Sequence, residues 1–318
     1  MLRKILLLVL ASLFFASPGF AQTGQPMTFG VESERHLWLG DMHYLQGDLY
    51  RAISEYQTFL FERAGDERAA HVRLKIAWLY GLANEHRSAA RLLDAVAMAN
   101  AEEPLGWWSR YYFAHVALNA GRPEIAKLAF DEVLSICAQT GRCDELTAQT
   151  QLGLADYYAG RHEFVLAAGE LAKLPPNAPA AEEAARISRQ LLELKIPSKS
   201  PAIAGLLSIV PGFGHLYIEE YGIGMLAMIW NGVFIYGIVD SILAGSYGQA
   251  LLIGLIESIW YGGTIFGAIA GAQRFNRDAM QIVESGLRRD VERLRDEQPW
   301  PARFPLAYPT PMQLRLEF

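Results

Sequence analysis

Residues 200–276 form the only long apolar region of this 318-residue chain apart from its extreme N-terminus. The segments 221–244 and 247–272 each exceed the about 20 mostly apolar residues needed to cross a bilayer. Only Gly245-Ser246 separates them, so the two segments are expected to form an antiparallel helical hairpin. Helices satisfy their own backbone groups, which a lipid interior demands.

The residues that interrupt this apolar pattern are informative. Gly263, Gly267 and Gly271 recur every fourth position of the second segment, a spacing that lets another helix approach closely. The partner could be a helix of the same chain, or a second chain in a homo- or hetero-oligomer. Counted from the bend, Asn231 and Glu257 fall at similar depths, and a hydrogen bond between them is expected. That pair reads either as a polar clasp on the hairpin or as a proton- or ligand-handling site, because ionisable groups in lipid are costly. Asp240 lies nearer the bend, within reach of interfacial water. Ahead of the hairpin, Pro211-Gly212 breaks the stretch 201–217, since proline removes a helical hydrogen bond. A short or re-entrant helix is expected there. Whether it crosses decides which side the C-terminal tail occupies.

The run LLSIVPGFGHLYIEEYGIGMLAMIW followed by FIYGIVDSIL resembles the small two-transmembrane-helix domain family. Gly212, Gly214 and Tyr217 of the turn carry that likeness, together with His215, Gly222, Gly224 and Asp240, while Pro211 in the same turn departs from the family pattern. So does Glu219-Glu220, where the family has a Gly-basic pair. The resemblance implies a membrane module without a defined chemistry.

At the start of the chain, MLRK, then ILLLVLASLFFA, then SPGFA-Q has the layout of a secretory signal peptide over 1–21. Residues 22–32 read as a linker, and export would place the repeats beyond it in a periplasm. A formal charge of −6 with 19% charged residues leaves no basic footprint for nucleic acid. Cys137 and Cys143, the two cysteines of the chain, are spaced for a disulfide closing a small loop. No catalytic, metal-binding or cofactor motif is present, so no enzyme, metal or cofactor is expected.

Residues 33–195 carry a repeat. In LGDMHYLQGDLYRAISEYQTFL, the residues Leu39, Gly40, Gly47, Ala52, Tyr56 and Phe59 stand where tetratricopeptide repeats place their packing residues, and this unit resembles that family closely. Ile76, Ala77, Tyr80, Ala89 and Leu93 mark a second unit. Ala114, Gly121, Ala126, Phe130 and Val133 mark a third, and Leu152, Gly153, Gly160 and Ala172 a fourth. Ala52, Ala89 and Ala126 are 37 residues apart, against a family period of about 34, with Gly47, Gly121 and Gly160 expected at turns. The resemblance implies an all-α solenoid of helical hairpins whose inner face, lined by Asp41, Tyr44, Trp78, Trp108, Tyr111, His115 and Tyr157, binds a protein partner.

After the membrane block, Met280, Val283, Leu287, Val291 and Leu294 recur at three- and four-residue steps, so 277–297 is expected to be an amphipathic helix. A Pro-rich tail occupies 298–318. The whole reads as a repeat domain anchored in the bacterial inner membrane, exposed to the periplasm and bound to another envelope protein. The alternative is a transport or channel component that uses the intramembrane polar residues.

Overall fold

The computed structural model describes residues 32–141 and 143–295. The expected signal peptide and Pro-rich tail lie outside the described residues. The fold is all-α among the described residues, and the chain divides into two compact units, up to Val72 and from Arg73 onward.

The first unit holds α1 (Glu32–Leu45) and α2 (Leu49–Glu62). Gly47 at φ 79° supplies the left-handed turn, and Asp48 caps α2 by accepting from Arg51 N at 3.1 Å. Apolar residues on one face of α2 bury Ala52, Ile53, Tyr56 and Phe59. A Cβ on Gly40 would overlap the Tyr56 ring, which is why a glycine stands there. The Tyr56 hydroxyl donates to Asp41. Arg68 grips Glu34 through two bonds of 2.9 and 2.6 Å and also pairs with Asp66 at 2.8 Å. The Arg68 hydrogen bond holds the Asp66 carboxyl down at about 2.

From α3 (Ala69–Leu82) the chain continues through α4 (His86–Ala99), α5 (Pro104–Asn119), α6 (Pro123–Thr140), α7 (Asp144–Gly160), α8 (Phe164–Ala172) and α9 (Ala181–Glu193). One kind of turn recurs between helices. Gly47, Asn84, Gly121 and His162 all have positive φ. Each donates its N–H three residues back, and the next N–H reaches five residues back, as in Asn84 to Gly81 and Glu85 to Tyr80. This is the glycine-type helix ending that closes exposed carbonyls. The expectation for Gly160 is corrected here: it is the last residue of α7, and His162 makes the turn. A Cβ on Gly160 would come 2.7 Å from Arg288.

Among the described residues, two cores join the later helices of the second unit. Trp107, Trp108, Tyr111, Phe130 and Val133 bind α5 to α6 and to Leu146 and Leu154 of α7. Leu152, Phe164, Leu171 and Ile187 join α7, α8 and α9. The expected disulfide is absent. Cys137 and Cys143 are free, buried thiols that pack as small apolar side chains in the first core. Burial, then the neighbouring Cys143, pushes the Cys137 thiol up to about 12.

The apolar block contains α10 (Pro201–Leu207), α11 (Phe213–Tyr217), α12 (Tyr221–Leu243) and α13 (Tyr247–Leu294). Ser200 caps α10, with Pro201 at its first turn. At about 1.5 Å per residue, the 7-residue α10 and 5-residue α11 are far shorter than the about 30 Å hydrocarbon core of a bilayer. Gly212, at φ 86°, leaves no room for a Cβ against Gly224, and Gly214 packs as tightly on Ala204 and Ser208. These two glycines fold the Pro-Gly turn onto α12 and α10. Glu219 adopts φ 68°, in the position where the resembling family has glycine, and its carboxylate meets Lys199 at 2.8 Å.

Candidate docking face and membrane seam

The aromatic residues expected on an inner face separate by environment. Trp108 and Tyr111 are buried core residues, with rings 5.4 Å apart in edge contact. His115 stands against Tyr111 at 4.6 Å and Phe130 at 5.2 Å, so Trp108, Tyr111 and His115 form one cluster on α5. Burial, helped by the charge of Arg295, pulls the His115 imidazole well below its usual range. Tyr157 is buried on α7, and its hydroxyl donates to Glu124 at 3.3 Å. Arg161 pairs with the same Glu124 at 2.8 Å. Trp78 is half-buried on α3, while Asp41 and Tyr44 belong to the first unit. Trp108, Tyr111 and His115 thus pack between α5 and α6.

Another segment covers the repeats. The amphipathic pattern after the membrane block continues the second apolar helix without a break, giving the 48-residue α13. Its distal half lies on α7 and α9. Leu287, Val291 and Leu294 are part of the same core as Leu152, Ala155 and Ile187, with Met280 and Val283 packed beside them. Asp156 receives Arg288 at 3.3 Å and Arg295 at 3.4 Å, and His162 meets Glu284 at 3.0 Å. Nothing in the sequence pointed to Asp156. The apolar periodicity of 280–294 predicted a helix with a buried stripe but could not identify the surface it buries against.

A polar clasp joins the repeats to the apolar block. Lys199 N donates to Asn276 Oδ1 at 2.7 Å, and Asn276 Nδ2 donates back to Lys199 O at 2.9 Å. Ser200 N donates to the Tyr217 hydroxyl at 3.0 Å. The connection is thus pinned to α13 and α11. His215 is buried with Nδ1 at 2.9 Å from Glu220 and Nε2 at 3.1 Å from the Thr264 carbonyl, while Glu220 also holds Arg274 at 3.2 Å.

Helices α12 and α13 form a seam with a period near 3.5. Gly224, Ala227, Asn231, Phe234, Ile238 and Ser241 are among the less exposed positions of one, and Ala250, Gly254, Glu257, Tyr261, Thr264 and Ala268 among those of the other. Such spacing is that of a left-handed helix pair. The small-residue face is used within the chain: a Cβ on Gly267 would sit 3.3 Å from His215, and one on Gly271 would overlap Ile218. Gly263 faces open space. Asn231 and Glu257 both lie in the seam but are not bonded. Asn231 donates to Ala227 O at 2.6 Å, and among the described residues Asn231 Oδ1 and Glu257 Oε2 have no hydrogen-bond partner. Asp240 is exposed near the bend.

No family model and no curated protein matches the chain. Among solved structures it is similar to a Podosopora anserina protein described as a putative kinesin light chain with nearly identical TPR-like repeats. The identity is 18% over 51% of this chain and 93% of that one, with a TM-score of 0.40. A single-residue variant of that protein gives a TM-score of 0.41. The apo form of RapI aligns at 13% identity over 82% of this chain and 78% of its own, with a TM-score of 0.43. The chain is an all-α protein, among the described residues, of successive helical hairpins followed by an apolar helical hairpin.

Proposed function

We propose that the chain is a membrane-anchored scaffold of the bacterial envelope whose periplasmic repeats bind another envelope protein. One observation carries this reading. Helix α13 is apolar and largely uncovered through its first half, then enters the repeat core through its second. Large side chains such as Leu243, Ile259 and Phe266 are more than two-thirds exposed, which suits lipid contact and would be costly in water. Short α10 and α11 do not span, so the hairpin makes two crossings, with the repeats and the end of α13 on one side. Arg274 beside the last span would by charge alone draw this side to the cytoplasm. The N-terminal signal pattern opposes that pull.

The partner is tested by crosslinking in membranes and purifying the chain with Trp78→Ala. Weaker capture with unchanged helicity is expected, and full capture would contradict a contribution of Trp78 to the partner's contact. The unbonded oxygens of Asn231 and Glu257 favour one second reading, a transport component. Glu257→Gln should alter solute or ion flux without touching partner capture if that reading holds.

A further inference from the structure

The distal half of α13 fits the face of α7 and α9 closely in its apolar contacts and unevenly in its polar ones, where Glu284 meets His162 at 3.0 Å but the arginines reach less closely. Leu287, Val291 and Leu294 are buried. Asp156, by contrast, is shared by two arginines at 3.3 and 3.4 Å, whereas charge-assisted bonds typically run about 2.7–2.9 Å. Arg295 Nε is buried without a hydrogen-bond partner among the described residues, and so is His115 Nε2 on α5. Buried polar atoms left unpaired forfeit the hydration they had in the unfolded chain, so they are normally closed off. A helix fitted as a permanent strut would be expected to close them. A guest whose place can be taken need not.

We propose that α13 is a resident guest on a helix-receiving face, and that a partner of the repeats engages this face with a helix of the same pattern. The pattern is three apolar side chains at successive spacings of four and three, with an arginine directly after the first and the last, as in Leu287-Arg288, Val291 and Leu294-Arg295. Asp156 reads the arginines, and Leu152, Ala155 and Ile187 take the apolar stripe. The inference rests on the reading that the repeats bind a protein partner. It adds that this partner presents a basic amphipathic helix and competes with α13.

The probe is a synthetic peptide of residues 277–295, titrated by fluorescence anisotropy onto the full-length chain in lipid nanodiscs. In a chain with Arg288→Glu and Arg295→Glu, α13 is repelled from Asp156. The intact peptide should then bind about tenfold more tightly, because a larger fraction of the face is open. Adding Asp156→Ala should remove most of that gain. Leu287→Ala is a milder second way of opening the face and should raise affinity in the same direction. Equal affinity for the unaltered and opened chains, with native helicity, would overturn the inference. The titration needs no partner, so it stays readable even if the pull-down fails.

Discussion

At the scale of single residues, backbone conformation decides more positions than side-chain chemistry does. Gly121 holds φ 69° with open space around it, so Gly121→Ala meets no clash and suffers only the left-handed strain. It should cost about 1–2 kcal/mol, read as a lower midpoint in urea. Titration gives two further expectations. Asp66 is held near 2 by Arg68, below its unfolded value, so its contribution is present above about pH 4 and lost as the pH falls towards 2. Unfolding at pH 5 and pH 2 should differ by about 2 kcal/mol on this account, and Asp66→Asn should flatten the difference. His115 is held neutral by burial. Its depressed titration means stability is present above about 6.5 and falls as the pH drops below it, a slope that His115→Gln should reduce. Residue-level legibility was mixed. Gly40 and Tyr56 were placed by their repeat positions and do meet, whereas Asn84 and His162 hid their turns because neither is a glycine.

At the scale of elements, the repeat register was readable because small residues recur at one spacing. Gly47, Asn84 and Gly121 share the 37-residue step of Ala52, Ala89 and Ala126, so turn and packing positions move together. His162 breaks the step, 41 residues after Gly121. The hairpin was legible from length and hydropathy, but its polar pair was not. Asn231 lies 14 residues before Gly245, and Glu257 lies 11 after Ser246. That offset of nearly one turn separates them along the seam, and the contacts of Gly237 with Ile253 and Trp230 with Trp260 agree with that register. The docking of α13 was invisible because an amphipathic stripe says that something covers it without naming what. Leu287 is buried against α7 and α9, so Leu287→Ala should cost about 2–5 kcal/mol. Hydrogen exchange should then quicken in the distal half of α13 and in α9, with α5 and α6 unchanged.

At the scale of the whole molecule, one helix joins the apolar hairpin to the repeat core. With a rise of about 1.5 Å per residue, the 48 residues of α13 run to about 72 Å, more than twice the about 30 Å of a hydrocarbon core. The excess reaches α7 and α9. If the hairpin crosses a bilayer as proposed, a continuous helix cannot end on the opposite side from the domain it packs into, and the repeats and the segment after the last crossing then share a compartment. Single cysteines at Phe61 and Ile282, both exposed, test this most directly, introduced in a background where Cys137 and Cys143 are Ala. A membrane-impermeant maleimide applied to intact cells, with the outer membrane opened and the inner membrane sealed, should label both. Labelling of one position and protection of the other would contradict the account.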